Sequence, residues 1–203
     1  IAGEFDGAID VILDGGECKY RKSSTVVKVS GADLKVLREG VISEEDIKDM
    51  LINNILFVCT GNTCRSPMAE GICAKYVSEK LNCGIDEINK FGYKIASAGT
   101  MSIYGISSSD EAIEACSRLG IDISRHTSQP LSDKVISTAD YIFALCKSHY
   151  DAIISIYPEA KSKCMLLDEN GDITDPFGSS VEDYCDCARV IETAVKKRLD
   201  KIL

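Results

Sequence analysis

A cysteine and an arginine stand with five residues between them in the segment FVCTGNTCRSPMAE, which spans residues 57–70. An apolar run, ILFVC, ends at Cys59 and is typical of a strand that is covered on both faces. Ser66 as N-cap and Pro67 as first helical residue are predicted to open the helix that follows. A loop that leaves a strand and enters a helix turns backbone N–H groups inward, where they bind anions. The pattern therefore predicts an oxyanion site between Cys59 and Arg65.

The same surroundings favour a reactive thiolate at Cys59. A cysteine beside a helix N-terminus and an arginine has its pKa lowered from its usual value of about 8.5. The planar guanidinium of Arg65 suits two oxygens of a phosphoryl group, and Gly61 permits the unusual backbone angles that such a loop requires. We therefore predict that the loop combines a phosphate-binding site with a nucleophile, Cys59.

Cleavage of a phosphoryl bond also requires a proton for the leaving group, so an acid is expected near the loop. Asp175, in the segment TDPF, follows the fourth predicted strand, and the carboxyl ends of parallel strands meet at one edge of a sheet. Pro176 biases Asp175 toward an extended backbone that presents its side chain outward. We predict Asp175 as the acid, and an ordinary turn aspartate is the alternative interpretation.

From residue 54 onward, buried strands and amphipathic helices alternate along the chain. This order predicts an α/β fold in which a four-stranded parallel sheet has helices on both faces. The predicted strands are 55–59, 93–99, 140–145 and 163–167, and the predicted helices are 66–81, 108–120, 147–157 and 181–202. Ligands of such sheets bind at the carboxyl ends of the strands, which is where the Cys59 loop is expected.

The segment before residue 53 has a different pattern. Short strands are predicted within AIDVILDGGECKY, SSTVVKVSG and DLKVLREGVI, followed by a short acidic helix, SEEDIKDML, that Ser43 caps. We therefore divide the chain into a small α+β fragment, residues 1–52, and a larger domain, residues 53–203. The first residue is isoleucine, so we expect this chain to be a piece of a longer protein.

Composition narrows the class of protein. Asp and Glu outnumber Lys and Arg by 32 to 23, which argues against nucleic acid as a partner. The apolar runs are shorter than the roughly 18 to 20 residues of a membrane helix, so we expect no membrane association. Ten scattered cysteines without a C-x-x-C pair, and two histidines, give little support to a metal site. We expect a cytoplasmic protein with reduced thiols and neither a metal nor another cofactor.

The segments VCTGNTCRSPMAE, SAGT and DPFGSS together resemble the low-molecular-weight protein tyrosine phosphatase family over residues 54–203. The resemblance implies that Cys59 attacks phosphorus to form a phosphocysteine, while Asp175 protonates the leaving group and then activates water. Arg65 and the loop amides would hold the phosphate oxygens, and Ser66 would donate a hydrogen bond to the thiolate. The implied phosphate-binding loop consists of Thr60, Gly61, Asn62, Thr63, Cys64 and Ser66.

The resemblance also implies supporting residues. Asn62, with Ser97 and His126 behind it, would brace the backbone of the loop, although His126 alone is equally typical of a plain surface histidine. Cys64 resembles the second cysteine of the family. On oxidation it would form a disulfide with Cys59 and protect the nucleophile from irreversible oxidation. A small buried residue is the alternative interpretation of Cys64.

Two positions bear on the substrate. Tyrosine-directed members usually carry a bulky aliphatic residue after the nucleophile and paired aromatic residues after Asp-Pro. This chain has Thr60 at the first place and Phe177 followed by Gly178 at the second, which resembles the protein arginine phosphatase branch. A polar, cationic phosphoguanidinium suits a hydroxyl and a single aromatic face. We predict phosphoarginine proteins as substrates, with phosphotyrosine proteins as the alternative.

Residues 8–50 resemble the C-terminal tail of a threonylcarbamoyl-AMP synthase domain of the YrdC type. The tail lacks most of that family's basic RNA- and ATP-binding surface, so we expect no synthase activity. Two further functions share the cysteine loop. Arsenate reductases require an additional pair of cysteines, whereas Cys146 stands alone in the corresponding region. A non-catalytic phosphoprotein-binding module would be expected to lack Cys59 or Asp175, and the chain has both.

Overall fold

The chain folds as two compact units, Ile1–Leu51 and Ile52–Leu203. The computed structural model describes residues 7–8, 10–11, 13, 15–30 and 33–202. Among these residues, no helix combines the length and the apolar character that crossing a membrane requires.

The first unit contains an antiparallel pair of strands and a short helix. The elements are β1 (Val26–Ser30), β2 (Asp33–Arg38) and α1 (Glu44–Met50). Ser43 caps α1 as predicted: its side chain accepts from the Asp46 N–H, and the Asp46 carboxylate accepts from the Ser43 N–H. The strand predicted within residues 8–20 falls partly outside the described residues. The described residues of that stretch form turns, bends and irregular backbone instead of a strand.

A parallel sheet of four strands, in the order β4-β3-β5-β6, forms the centre of the second unit within the described residues. The strands are β3 (Asn53–Cys59), β4 (Tyr93–Gly99), β5 (Tyr141–Ala144) and β6 (Cys164–Leu166). Each neighbouring pair runs parallel, so the predicted sheet is confirmed. Strand β3 begins two residues earlier than predicted, at Asn53.

Helices lie on both faces of this sheet. They are α2 (Arg65–Leu81), α3 (Asp110–Arg118), α4 (Asp133–Thr138), α5 (Lys147–Ile156) and α6 (Val181–Leu199), with 3₁₀ helices at Ile85–Phe91 and Pro158–Ser162. The sequence did not predict α4 or the 3₁₀ helices, because one or two turns are too short to show a helical repeat of apolar residues. The last helix ends at Leu199, three residues before its predicted end.

The two faces of β3 bury different side chains. Ile55 and Phe57 belong to a core shared with α2, α3 and α6, where the ring centroids of Phe57 and Phe143 are 5.6 Å apart. Leu56 and Val58 belong to a second core shared with α4 and α5. Because both faces are covered, the strand is a continuous apolar run in the sequence.

Strand β3 stands between β4 and β5, so the chain passes from β3 to β4 on one side and then crosses to β5 on the other side. At such a switch point the loops diverge and leave a crevice at the carboxyl ends of the strands. The Cys59–Arg65 loop follows β3, residues 145–149 follow β5, and Asp175 comes after β6. The fold therefore directs all three segments to the same edge of the sheet.

The end of β4 packs closely against the loop after β3. The N–H groups of Thr100 and Met101 donate to the carbonyl oxygens of Cys59 and Thr60, at 2.9 and 3.0 Å. A Cβ atom on Gly99 would stand 2.5 Å from the Thr60 carbonyl oxygen, which is closer than real Cβ atoms approach. Close backbone approach, not turn conformation, therefore requires glycine at this position.

We expect Gly99→Ala to lower the free energy of unfolding by about 1–3 kcal/mol, because the added methyl group overlaps the backbone. Urea denaturation measures the change. Gly84→Ala is the matched control: a Cβ there would meet its nearest atom at 3.5 Å, and its effect should stay within about 0.5 kcal/mol. If the Gly99→Ala variant unfolds at the same urea concentration as the unsubstituted protein, the close approach is wrong.

Candidate active site

The sulfur of Cys59 is enclosed by the loop that follows β3, and the residue is 3% exposed. The backbone N–H of Asn62 donates to the sulfur at 3.2 Å, and Ser66 Oγ lies 2.9 Å from it. Asn62 Nδ2 donates to Ser66 Oγ at 2.9 Å. Since this bond occupies a lone pair of the hydroxyl, the proton of Ser66 is available to the sulfur. The loop thus directs two donors at one thiol.

Helix α2 has Cys64 as N-cap and Arg65 as its first residue, each two positions before the predicted N-cap, Ser66, and first residue, Pro67. The prediction that Ser66 caps the helix and Pro67 opens it is therefore wrong. Proline is tolerated anywhere in the first turn of a helix, so Ser-Pro does not fix the starting residue. The consequence is chemical, because the Ser66 hydroxyl contacts the Cys59 sulfur instead of capping the helix.

Asn62 adopts the left-handed backbone conformation, with a φ of 56°. The sequence assigned the unusual backbone angles to Gly61, but Gly61 lies outside the left-handed region, so that prediction is wrong. The Asn62 side chain is buried, and its Nδ2 donates to Ser66 Oγ and to Ser97 Oγ, the latter at 2.8 Å. Its Oδ1 accepts from the Gln129 N–H at 2.9 Å. Asparagine tolerates this conformation better than most residues, and here its side chain also anchors it.

A second row of residues supports the loop from behind. His126 Nε2 donates to the Asn62 carbonyl oxygen at 2.9 Å, and His126 Nδ1 lies 3.7 Å from the Glu70 carboxylate. The Ser97 hydroxyl donates to Glu70 at 2.5 Å. Burial raises the pKa of Glu70, while the Ser97 bond and His126 act to lower it. The sequence pointed to Ser97 and His126 but missed Glu70, because a glutamate within a helix usually faces solvent.

Arg65 is 5% exposed and contacts the loop that follows β6. Its Nη1 donates to the Ile173 carbonyl oxygen at 3.0 Å, and its Nη2 donates to the Asp175 carboxylate at 2.5 Å. The other oxygen of Asp175 accepts from the Phe177 N–H at 3.3 Å. Arg65, Asp175 and Cys59 line one cleft of about 260 Å³. The other lining residues are Thr60, Gly61, Thr63, Cys64 and Phe177.

Burial raises the pKa of the Cys59 thiol above its ordinary value. Hydrogen bonds from Ser66 and Asn62 and the charge of Arg65 act to lower it, but they do not outweigh the loss of water. The prediction of a lowered pKa is therefore wrong for this arrangement.

Thr60 makes a contact that the sequence did not predict. Its hydroxyl oxygen lies 2.8 Å from Nε2 of His149, a buried residue of α5, and Nδ1 of that ring lies 3.1 Å from the Cys146 sulfur. Burial lowers the pKa of His149 to about 4, and Arg65 acts in the same direction, so the ring is neutral near pH 7. A signal was present in the sequence, since His149 shares a helix face with the buried Ile153.

Cys64 ties the loop to two helices. Its sulfur lies 3.4 Å from the Tyr184 hydroxyl of α6 and donates to the Oγ of Ser109, the N-cap of α3, at 3.6 Å. The Ser109 N–H donates to the Thr63 carbonyl oxygen at 2.9 Å. Burial, followed by the contact with Cys64, raises the pKa of Tyr184 to about 12. The disulfide between Cys64 and Cys59 stays a prediction.

Comparisons with known proteins identify the class to which this α/β domain belongs. The family described as low molecular weight phosphotyrosine protein phosphatase matches residues 54–203. A protein-arginine-phosphatase of Geobacillus stearothermophilus is 33% identical over 73% of this chain and 95% of its own length. A solved low molecular weight protein tyrosine phosphatase from T. tengcongensis is 36% identical, with a TM-score of 0.66 over 73% of this chain and 99% of that one. The chain belongs to the low molecular weight phosphotyrosine protein phosphatase family and is a hydrolase of phosphoproteins.

Two further matches add detail. A solved variant of the arginine phosphatase YwlE, in which serine replaces a cysteine and the active-site serine is phosphorylated, is 29% identical with a TM-score of 0.65. It covers 73% of this chain and 95% of its own. A second family, described as telomere recombination and including Sua5, YciO and YrdC, matches residues 1–40. The resemblance of the N-terminal segment to YrdC-type domains is thereby confirmed over those residues.

We expect Ser66→Ala to raise the pKa of Cys59 further, because the Ser66 bond is the largest interaction that lowers it. A hydrogen bond to a charged group is worth about 1.5–3 kcal/mol, so the shift should reach about one pH unit. Mass spectrometry of the Cys59 peptide gives the rate of alkylation by iodoacetamide as a function of pH, and the midpoint should move upward. Exposed Ser155→Ala is the matched control. An unmoved midpoint in Ser66→Ala would contradict the bond.

Proposed function

We propose that the chain hydrolyses phosphoarginine in proteins, with Cys59 as nucleophile, through a phosphocysteine intermediate. The single observation that carries the proposal is the cleft at the carboxyl end of β3. Cys59, Arg65 and Asp175 line it together, and the Thr60 hydroxyl stands beside them. Phosphorylated proteins are the proposed partners, and phosphate or a similar oxyanion is the group that the loop holds.

In the proposed first step, the Cys59 thiol passes its proton to a phosphoryl oxygen of the substrate, and the resulting thiolate attacks phosphorus as the bond from phosphorus to the leaving nitrogen breaks. The loop N–H groups and Arg65 stabilise the charge that collects on the phosphoryl oxygens. Asp175 gives its proton to the leaving nitrogen as general acid. The lining of one cleft by Cys59, Arg65 and Asp175 supports these roles.

In the proposed second step, ionised Asp175 takes a proton from a water molecule, whose oxygen attacks the phosphocysteine. The sulfur–phosphorus bond breaks, phosphate leaves, and Cys59 returns as a thiolate that Ser66 and the Asn62 N–H stabilise by hydrogen bonds. The phosphorylated serine in the active site of the YwlE variant supports a covalent phosphoryl-enzyme in this family.

We expect Cys59→Ser to abolish hydrolysis of p-nitrophenyl phosphate, because a serine hydroxyl is a much weaker nucleophile than a thiolate. The variant should still bind inorganic phosphate in a calorimeter, since the loop amides and Arg65 remain. Asp175→Asn should lower kcat on a phosphoarginine peptide by about 10²–10⁴-fold. Asp151→Asn, an exposed site on α5, is the matched control. Full turnover by Cys59→Ser would refute the nucleophile.

The preference for phosphoarginine is supported by the residues at the mouth of the cleft. The leaving side of a phosphoguanidinium carries N–H donors and positive charge, and the Thr60 oxygen is an acceptor. Phe177 is 77% exposed and offers one aromatic face to a cation. Asp175 also lines a neighbouring cleft of about 460 Å³ together with Asp172 and Asp186, so further carboxylates lie in the cleft next to the site.

Hydrolysis of phosphotyrosine is the second candidate. The tyrosine phosphatase from T. tengcongensis is 36% identical to this chain, which is no less than the 33% of the arginine phosphatase from Geobacillus stearothermophilus. Overall identity therefore does not separate the two substrates. The difference depends on side chains at the cleft mouth, Thr60 above all.

We expect Thr60→Ile to shift the ratio of kcat/KM for phosphoarginine over phosphotyrosine peptides about tenfold or more toward phosphotyrosine. Isoleucine removes an acceptor from the guanidinium and supplies an apolar wall for a phenol ring. Paired kinetics on peptides with the same flanking sequence measure the ratio. Thr193→Ile, at an exposed position of α6, is the control for the substitution itself. An unchanged ratio would remove Thr60 as the selecting residue.

The proposal extends to the organisation of the chain. Residues 1–52 are proposed to be the tail of a YrdC-like domain without synthase activity, and residues 53–203 to be the phosphatase domain. The division into two compact units after Leu51 supports this boundary. The ten cysteines are free, and all of them are among the described residues, which supports a reducing, cytoplasmic location.

A further inference from the structure

We propose that His149, oriented by Cys146, takes up the proton of the Thr60 hydroxyl in a hydrogen bond, so that Thr60 presents only lone pairs to a phosphoguanidinium. His149 is thus a positioning residue for substrate selection. The inference rests on the proposed function, because only a phosphoguanidinium brings N–H donors to that side of the cleft.

The imidazole ring of His149 has a polar neighbour at each nitrogen. Nε2 lies 2.8 Å from the Thr60 hydroxyl oxygen, and Nδ1 lies 3.1 Å from the Cys146 sulfur. The Cys146 sulfur also lies 3.0 Å from the hydroxyl of Ser148. His149 is 3% exposed and Cys146 is 9% exposed, so protein groups, not bulk water, set the orientation of the ring.

A neutral imidazole has one N–H and one lone pair, so this chain of contacts has two arrangements. In the first, Nδ1–H donates to the Cys146 sulfur and Nε2 accepts the Thr60 proton. In the second, Nε2–H donates to Thr60 and Nδ1 accepts from the thiol of Cys146. The two arrangements give Thr60 opposite roles toward a substrate. In the first arrangement the Thr60 proton is bonded to His149, and in the second it points away from the ring.

The donor and acceptor strengths favour the first arrangement. The imidazole lone pair is the strongest neutral acceptor of the three groups, and a hydroxyl donates better than a thiol. The first arrangement joins that acceptor to the Thr60 hydroxyl, whereas the second leaves it with the weak S–H donor of Cys146. The Ser148 hydroxyl is placed to satisfy the Cys146 sulfur further.

Burial, helped by the charge of Arg65, keeps the His149 ring neutral. Burial lowers the pKa of His149 to about 4, with Arg65 acting in the same direction and Asp175 and Asp172 acting against it. An imidazolium would carry N–H on both nitrogens and would have no lone pair for the Thr60 proton. Neutrality near pH 7 is therefore consistent with an accepting Nε2.

The chemistry of the substrate explains why the direction of the hydrogen bond between Thr60 and His149 matters. The nitrogens of a guanidinium are donors without lone pairs to offer, whereas the bridging oxygen of a phenyl phosphate carries no hydrogen. A Thr60 hydroxyl whose proton points into the cleft would repel a guanidinium and tolerate a phenyl phosphate. A Thr60 hydroxyl whose proton is bonded to His149 accepts a hydrogen bond from a guanidinium. The bond between His149 and Thr60 therefore decides which leaving group is complementary.

The first test compares kcat/KM for phosphoarginine and phosphotyrosine peptides that share one flanking sequence. His149→Phe should lower the phosphoarginine-to-phosphotyrosine ratio about tenfold, as expected for one lost hydrogen bond. In a Thr60→Val background the same substitution should leave the ratio unchanged, since the hydroxyl that it orients is gone. Equal ratios in His149→Phe and the unsubstituted protein, or an equal fall in both backgrounds, would overturn the inference.

The second test needs no substitution. Long-range ¹H–¹⁵N NMR of the imidazole rings shows which nitrogen carries the proton. We expect Nδ1–H at His149, whereas His126 is an internal reference of the opposite kind, because its Nε2 donates to the Asn62 carbonyl oxygen. A proton on Nε2 of His149 would overturn the inference even if His149→Phe fails to fold.

The two proposals fail in different ways. An unsubstituted enzyme that prefers phosphotyrosine would overturn the proposed substrate and this inference with it. An unsubstituted enzyme that prefers phosphoarginine, together with a ratio that His149→Phe does not change, would overturn this inference alone.

Discussion

The structure of the loop depends on one buried amide, the side chain of Asn62. Its backbone is left-handed, which costs a residue with a side chain on the order of 1–2 kcal/mol. The amide offsets this cost by bonds to Ser66 on α2, Ser97 on β4 and the backbone of Gln129. With the side chain held from three directions, the N–H of Asn62 is directed at the sulfur of Cys59. The geometry of the proposed anion-binding loop therefore depends on buried hydrogen bonds more than on the flexibility of glycine.

The order of the strands explains why the cleft draws on distant parts of the chain. Because β3 lies between β4 and β5, the loop after β3 meets the start of α5, and this brings Thr60 to His149. The loop after β6 reaches the same edge and brings Asp175 to Arg65. Three strand ends thus each supply side chains, and the rigid sheet holds them in register.

Much of the fold and part of the site were predictable from the sequence. The four strands followed from runs of apolar residues, and the residue types from Cys59 onward pointed to the loop. The errors concern local details that depend on packing: the left-handed angle at Gly61 and the capping role of Ser66. Glu70 was missed, since a polar residue within a helix usually faces solvent, and His149 was missed although its helical spacing from Ile153 was a signal of burial. The raised pKa of Cys59 shows that burial outweighs the loop hydrogen bonds and the charge of Arg65, a balance that no local pattern reveals.

The pairing of Arg65 with Asp175 has a consequence for how any oxyanion is received. The guanidinium already holds a carboxylate at 2.5 Å, so an incoming anion must exchange with a resident one. The free energy of phosphate binding is therefore the difference between the free energies of two ion pairs. A dissociation constant measured for phosphate thus understates the strength of the new pair. The exchange also separates Asp175 from Arg65, so binding of the anion and release of the proposed acid are one event.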